Sequence, residues 1–178
     1  MKNSIYLLLI LLIISCAEPK PRKPVVQKTT TFLKESIERN KKINKLEESQ
    51  FMALIDKDSV NDYITSPNGF WYYYNTKDSI STKLPVRGDQ VFFEYEIKNL
   101  ADEIIYSKEE LGERDYLVDK QELITGLQDG IKLMKQGEEV IFLFPSYKAY
   151  GYSGYKKIAS NQPLIYKVYL KKITTNNN

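Results

Sequence analysis

The feature that most constrains the fold is a set of segments in which apolar and polar residues alternate one by one. The segment QVFFEYEIK places Val91, Phe93, Tyr95 and Ile97 on one side and mostly charged residues on the other. Successive side chains of a strand point to opposite faces, so this pattern predicts a strand with one buried face. EVIFLF and PLIYKVYLKKI repeat it, and FWYYY, EIIYS and DYLV are shorter strand-like runs. One buried and one solvated face is typical of an antiparallel sheet.

One segment among these strands has the helical period instead. In QELITGLQDGIKLMKQGEE, apolar residues recur three and four positions apart: Leu123, Ile124, Leu127, Ile131 and Met134. This spacing predicts a short helix that ends at Gly137. Gly126 and Gly130 lie inside it, and each costs about 1 kcal/mol relative to alanine, which indicates close packing against another backbone. The predicted fold class is α+β: an antiparallel sheet curved around one short α-helix, preceded by an N-terminal helical segment.

The start of the chain, MKNSIYLLLILLIISC, has a basic residue followed by an apolar run that is short for spanning a bilayer. This is the layout of an export signal. IISC resembles the lipobox of bacterial lipoproteins, which implies that residues 1–15 are a signal peptide and that Cys16 carries lipid chains. The expected location is the cell envelope, facing the periplasm, with the outer membrane favoured over the inner. The alternative is a short anchor helix with an incidental cysteine.

The rest of the chain divides by composition. Residues 16–31 contain three prolines and no apolar periodicity, which predicts an extended tether. Residues 32–62 lack glycine and proline and have an interrupted apolar stripe, which predicts one or two helices. Residues 32–57 fit either a solvated spacer or a surface for dimerisation or partner docking. Residues 63–174 form the main domain, and residues 175–178 are a polar tail.

Composition excludes several classes of function. A net charge of +3 does not indicate a nucleic-acid-binding surface. The chain has no histidine and one cysteine, so His-dependent nucleophilic triads, an internal disulfide and nearly all zinc sites are excluded. We therefore expect no metal and no cofactor, and chemistry that needs neither His nor Cys.

Four blocks, RGDQVFFEY, QELITGLQDGIKLMKQGEEVIFLFP, KAYG and NQPLIYKVYLKKI, together resemble the FKBP-type peptidyl-prolyl cis-trans isomerases. The order and spacing of the blocks fit over roughly Ser66 to Ile173. With the lipobox, the chain is also similar to gliding-motility-associated isomerase lipoproteins. The resemblance implies a half-barrel sheet wrapped on the helix with an apolar pocket between them. It also implies isomerisation of X-Pro bonds in exported or envelope proteins, which assists their folding or assembly. The similarity to the gliding-motility-associated lipoproteins implies that these proteins belong to a gliding-motility apparatus.

Carried over residue by residue, the resemblance assigns two catalytic residues, Tyr150, which would hold the substrate carbonyl, and Tyr95, which would form a wall of the proline pocket. The remaining substrate-binding positions that it implies are Ile105, Tyr106, Leu123, Ile124, Leu127, Ile158 and Tyr166. In the loop FPSYKAYG, Tyr147 has no counterpart in the family pattern, and we expect it to pack the loop or to face solvent.

The chain departs from the family pattern at three positions, and the loss of the acid among them favours a second interpretation, whereas Tyr95, the AYG loop and Tyr166 favour the enzyme. Ile105-Tyr106 replaces the usual Phe-Asp pair, so the acid of the pocket is gone. Leu127 replaces the frequent tryptophan of the pocket floor. Either Arg114 or Tyr116 occupies another position that is aromatic in the family. The alternative function is therefore a non-catalytic FKBP-like chaperone or scaffold of an envelope machine, and a carrier of apolar small molecules is a third class.

Overall fold

The computed structural model describes residues 27–175. The predicted signal peptide, the predicted lipidation site Cys16, most of the predicted tether and the last three residues of the tail lie outside this range. The chain up to Glu38 and the chain from Arg39 onward form two units. In the described residues, no helix combines the length and the hydropathy that crossing a bilayer requires.

The N-terminal helical segment is one continuous helix, α1 (Gln27–Lys57). It begins inside the predicted tether, because nothing after the last proline of that segment interrupts a helix. It ends at Lys57, before the predicted boundary at residue 62. Directly after the helix, the side chain of Asp58 accepts hydrogen bonds from the backbone N–H groups of Val60 (3.1 Å) and Asn61 (3.3 Å). In the first unit, the apolar side chains of Phe32, Leu33 and Ile37 are exposed.

The second unit is built on an open, curved sheet of seven strands within the described residues, and all of its pairings are antiparallel, as predicted. The strands are β1 (Ile64–Ser66), β2 (Phe70–Thr76), β3 (Gln90–Lys98), β4 (Ile104–Tyr106), β5 (Arg114–Leu117), β6 (Glu139–Phe144) and β7 (Leu164–Thr174). Their order in the sheet is β1-β2-β6-β7-β3-β4, and β5 also pairs with β3.

The alternating residues of β3, β6 and β7 form the main core on one face of the sheet. Val91, Phe93, Tyr95 and Ile97 are all buried there, which confirms the predicted face of β3. Phe70, Val140, Phe142, Phe144, Leu164, Tyr166, Val168 and Leu170 complete that face from the neighbouring strands. Because the strands alternate, the intervening residues belong to the opposite face.

Two short helices accompany the sheet. α2 (Lys108–Leu111) was not predicted, and it begins where the side chain of Ser107 accepts a hydrogen bond from the backbone N–H of Glu110. α3 (Thr125–Ile131) is the predicted helix, but it is shorter than the apolar spacing indicated. Gly137 does not end it. The backbone N–H of Gly137 donates instead to Leu170 O (2.7 Å), so this glycine leads into β6.

The glycines of α3 pack against aromatic rings rather than against the backbone that we predicted. A Cβ atom at Gly126 would lie 2.8 Å from the ring of Phe144, and one at Gly130 would lie 2.9 Å from the ring of Phe142. These distances are shorter than real Cβ contacts, so only glycine allows the helix to lie this close to β6. The helix and sheet thereby share the main core, with Leu127 and Ile131 buried in it.

The C-terminal part of α1 covers the opposite face of the sheet. Phe51 is fully buried there, with its ring centroid 5.4 Å from that of Trp71. Ile141, Leu143 and Ile165 complete this second core, and Leu54 and Ile55 of α1 pack against it. This part of α1 is therefore neither a solvated spacer nor free for a partner, because the sheet of the same chain occupies its apolar side.

Candidate functional site

A cleft of about 360 Å³ opens beside the main core. β3 and β4 contribute Tyr95, Ile97 and Tyr106 to its lining. The segment around α2 contributes Glu110, Leu111 and Arg114, and the segment just before α3 contributes Leu123. The loop after β6 contributes Tyr150, Tyr155 and Lys156. The lining is thus a set of aromatic and apolar side chains with charged groups among them.

Four of the nine predicted site residues line this cleft: Tyr95, Tyr106, Leu123 and Tyr150. The other five pack within or against the main core. Leu127, Ile158 and Tyr166 are buried in it, and Ile105 and Ile124 are partly buried against it. The structure therefore brings the predicted residues into one region, but it divides them between the cleft surface and the packing next to it.

A second cleft, of about 410 Å³, lies on the opposite face of the sheet near the end of α1. Its apolar residues include Leu54, Ile141, Leu143 and Ile165, and charged side chains also line it. None of the nine predicted site residues contributes to it. The two clefts are similar in volume, so the identity of the lining residues selects the first as the candidate site.

Tyr150 reaches the cleft from two consecutive 3₁₀ turns, Ser146–Lys148 and Gly151–Ser153. It is the residue before the second turn, and Gly151 follows it with a φ of +55°, a conformation that favours glycine. The ring of Tyr150 stacks on that of Tyr155, with centroids 5.3 Å apart and an angle of 11° between the planes. This pair holds one wall of the cleft.

Tyr95 forms another wall, and Tyr166 packs behind it. Their rings are stacked, with centroids 5.8 Å apart and 9° between planes. Burial raises the pKa of the Tyr95 phenol, and the nearby Tyr150 adds to that shift while the positive charge of Arg114 opposes it. A phenol with a raised pKa stays protonated at neutral pH, so Tyr95 keeps a hydroxyl that donates and accepts hydrogen bonds.

Tyr106, at the position where the family usually has an acid, is 8% exposed and lines the cleft. Its hydroxyl accepts a hydrogen bond from the backbone N–H of Lys157 (3.1 Å). The Lys157 ammonium lies 4.8 Å from the centroid of the same ring and 2.7 Å from Glu110 Oε1. Tyr106 thus connects the long loop to the edge of the sheet through its hydroxyl and its ring.

Arg114 and Tyr116, the two candidates for the family's aromatic position after α2, lie in different environments. Arg114 lines the cleft, whereas Tyr116 is 2% exposed in the core and its hydroxyl accepts a hydrogen bond from the backbone N–H of Asp119 (3.0 Å). Sequence reasoning missed five lining residues: Ile97, Glu110, Leu111, Tyr155 and Lys156. Only Ile97 had a signal, because it shares the strand face of Tyr95.

Tyr147, the other tyrosine of the loop, is 49% exposed, and its hydroxyl donates to Gly69 O (3.0 Å). It therefore both faces solvent and packs the loop.

In the described residues, no group of three or more Asp, Glu or Cys side chains is placed to hold a metal ion. The cleft offers phenol hydroxyls for hydrogen bonding, aromatic rings that exclude water, and the charged groups of Glu110, Arg114 and Lys156.

The hydroxyl of Tyr166 is buried and has no hydrogen-bond partner among the described residues. Burial raises the pKa of this phenol strongly, and the neighbouring Tyr150 adds to the shift without meeting hydrogen-bond geometry. A buried, unpaired polar group destabilises the folded state.

Tyr166→Phe is therefore expected to raise the free energy of unfolding by about 1 kcal/mol, measured by urea denaturation.

Tyr116→Phe is the matched control for Tyr166→Phe, because Tyr116 is equally buried but its hydroxyl is hydrogen-bonded. Removing that hydroxyl leaves the backbone N–H of Asp119 without its acceptor, so this variant is expected to lose about 1 kcal/mol. Opposite signs for the two substitutions are the expected result. A loss of stability in both would show that the Tyr166 hydroxyl has a partner in solution.

Comparison with known proteins gives a consistent result. The family described as FKBP-type peptidyl-prolyl cis-trans isomerase matches residues 81–171. A curated relative from Neisseria meningitidis serogroup B, named probable FKBP-type peptidyl-prolyl cis-trans isomerase FkpA, is 28% identical over 139 residues. That alignment covers 78% of this chain and 50% of the relative, so the chain spans about half the length of the curated relative it matches.

Two solved structures share the fold. A peptidyl-prolyl cis-trans isomerase from Pseudomonas syringae pv. tomato aligns with a TM-score of 0.60 and 18% identity, over 76% of this chain and 96% of that one. FkpA from Escherichia coli aligns with a TM-score of 0.57 and 17% identity, over 98% of this chain and 82% of that one. At these identities the structural likeness establishes the architecture alone.

Proposed function

Because this chain belongs to the FKBP-type peptidyl-prolyl cis-trans isomerase family, we propose that it catalyses cis–trans isomerisation of X-Pro bonds in the cleft beside the main core. The single observation that carries the proposal is the convergence of Tyr95, Tyr106 and Tyr150, from two strands and one loop, on one partly apolar cleft. The family match supports the reaction type, and the geometry supports the location.

The reaction needs no nucleophile, metal or titrating base. Rotation about an X-Pro bond has a barrier of about 18–20 kcal/mol, because the twisted bond loses amide resonance. The planar amide is polar and well solvated, whereas the twisted form has less charge separation. A cleft walled by aromatic rings therefore favours the twisted form relative to the planar one. This requirement is compatible with a chain that has no histidine.

In this mechanism the Tyr150 hydroxyl donates a hydrogen bond to the carbonyl oxygen that precedes the proline, and Tyr95 forms the wall against which the proline ring lies. A hydrogen bond that is stronger in the transition state than in the ground state lowers the barrier. Ile105, Leu127 and Tyr166 support these walls from the adjoining core. Tyr106, Leu123, Ile124 and Ile158 complete the substrate-binding set.

Tyr150→Phe tests the proposal directly, because it removes the hydroxyl and keeps the ring. We expect kcat/KM for a short proline-containing peptide to fall about tenfold, which corresponds to one lost hydrogen bond of about 1.4 kcal/mol. The rate is measured by a protease-coupled assay or by exchange spectroscopy. Tyr152→Phe is the control, because Tyr152 lies in the same loop, is 79% exposed and does not line the cleft.

The alternative, a non-catalytic chaperone or scaffold, is favoured by one observation. Tyr106 replaces the family acid, and its hydroxyl already accepts the backbone N–H of Lys157. An unaltered chain that gives no acceleration at micromolar concentration, yet keeps an unfolded proline-rich client in solution, would support this alternative and overturn the enzyme proposal. An apolar small molecule that copurifies with the protein would point to the third class, a carrier.

The proposed setting is the bacterial cell envelope, with the chain anchored by lipid on Cys16 and facing the periplasm, on the outer membrane in preference to the inner. The support is the sequence of the first sixteen residues and the single cysteine. We expect labelled fatty acid to be incorporated into the unaltered chain and not into Cys16→Ser.

A role in assembling a gliding-motility apparatus rests on the lipoprotein resemblance and predicts a motility defect on deletion of the gene.

The exposed apolar residues of α1 bear on oligomeric state. Phe32, Leu33, Ile37 and Leu46 are each more than half exposed, so the N-terminal part of residues 32–57 remains available for a dimer or a partner. Light scattering on the full chain and on a Leu33→Lys/Ile37→Lys variant tests this. A monomer in both would remove the dimer proposal.

A further inference from the structure

Glu47 of α1 is a buried carboxylate that the proposed chemistry does not use. It is 2% exposed, and both of its oxygens are occupied by Ser146, which is also 2% exposed. The backbone N–H of Ser146 donates to Glu47 Oε2 (2.8 Å), and the Ser146 hydroxyl donates to Glu47 Oε1 (2.6 Å). These two bonds join residues 99 positions apart in the sequence. A long-range, fully buried and bidentate contact of this kind fixes one segment against another.

The position of Ser146 explains why its N–H group needs an acceptor from elsewhere. Ser146 is the first residue of the 3₁₀ turn Ser146–Lys148, and the N–H groups at the start of a helical turn have no partner within it. The preceding residue, Pro145, provides no side-chain hydrogen bond to the turn. A serine or aspartate before a helical turn commonly accepts from N–H groups of its first residues. Here α1 provides the acceptor through Glu47.

The same turn leads directly to Tyr150. The backbone N–H of Lys148 donates to Pro145 O (2.9 Å), and that of Ala149 donates to Ser146 O (3.0 Å). These bonds leave little freedom between Ser146 and Tyr150, so the place of Ser146 determines the place of the Tyr150 ring. On its other side, Lys148 is held by Asp129 of α3, with 3.1 Å between Nζ and Oδ2.

We propose that Glu47 is a positioning residue for Tyr150, and that α1 is thereby a structural part of the isomerase site rather than an appendage to it. The inference rests on the proposed function of Tyr150 and extends it to a residue on a different element. Glu47 touches neither the cleft nor the substrate. It acts through the turn Ser146–Lys148, and the tested quantity is the placement of Tyr150.

The experiment compares Glu47→Ala, Glu47→Gln and Ser146→Ala in the full chain, with Glu48→Ala as the matched control. Glu48 is the next residue of α1 and is exposed. We expect Glu47→Ala to lower kcat about tenfold with KM changed less than twofold, because it leaves two buried donors unpaired. Glu47→Gln has the same size and keeps one acceptor oxygen for the Ser146 N–H, while its amide NH2 can donate to the Ser146 hydroxyl oxygen. It is expected to recover more than half of the activity. Ser146→Ala keeps the N–H bond and is expected to lose about threefold.

A second readout does not depend on catalysis. Backbone amide resonances of residues 146–151 are expected to shift in Glu47→Ala and to stay in place in Glu48→Ala. If either kcat or those resonances are unchanged in Glu47→Ala, the inference is overturned. If Glu47→Ala does not fold, the same two readouts on Ser146→Ala decide. If the unaltered chain has no isomerase activity, the proposed function fails, and the resonances alone decide whether Glu47 positions the loop.

Discussion

Phe51→Ala is expected to release the C-terminal part of α1 from the sheet and to lower the free energy of unfolding by about 3–5 kcal/mol. Phe51 is fully buried and packs on Trp71 with ring centroids 5.4 Å apart. Truncation removes a large apolar side chain and leaves a cavity between helix and sheet, and both effects destabilise the docked state. Trp71 is the only tryptophan of the chain, so its fluorescence reports this contact directly.

The measurement is urea denaturation followed by Trp71 fluorescence and, separately, by far-ultraviolet circular dichroism. Leu46→Ala is the control on the same helix, because Leu46 is 60% exposed and its truncation is expected to change stability by less than about 0.5 kcal/mol. If Phe51→Ala alters stability no more than Leu46→Ala does, the second core does not hold α1 in place.

The pair Gly126→Ala and Gly130→Ala is expected to have the second largest effect. Each added Cβ would lie under 3.0 Å from the ring of Phe144 or Phe142, and those rings stack on each other with an angle of 9° between planes. Overpacking of this kind costs about 1–3 kcal/mol per site, and alanine returns about 1 kcal/mol as a better helix former. The double variant is therefore expected to lose about 2 kcal/mol, and at most about 4 kcal/mol, in thermal or urea unfolding.

A double-mutant cycle separates the ring contact from the helix propensity. In a Phe144→Leu background the ring is gone, so Gly126→Ala is expected to become neutral or stabilising. The same cost in both backgrounds would show that Gly126 is required for a reason other than its contact with Phe144. The measurement is the difference in unfolding free energy between the two backgrounds.

The strands and their faces were predictable, because apolar and polar residues alternate along each strand and the apolar ones mark the buried face. The two-residue period of β3 and β7 placed Tyr95 and Tyr166 on the buried face, and the structure has them there. The limits of α3 were not predictable from the apolar spacing. Turns at Leu133 and Met134 keep their apolar side chains on the core after the helix has ended.

The site was predictable in its strand and loop tyrosines and not in its charged residues. Arg114 was one of two alternatives for its position. Glu110 and Lys156 line the cleft because α2 and the long loop meet there, and no sequence period signals that meeting. Glu47 was hidden for the same reason. It lies in a run of charged residues that is typical of a solvated helix face, and its partner, Ser146, is distant in the chain.

The covering of the second sheet face by α1 has a consequence for solubility. β6 is buried on both faces from Val140 to Phe144, so this strand has no side that tolerates water. Without the helix, Trp71, Ile141, Leu143 and Ile165 would form one exposed apolar surface on a β-sheet, the kind of surface that promotes self-association. The second half of α1 therefore protects the sheet from self-association. Conditions that release it from the sheet should lower the solubility of the protein.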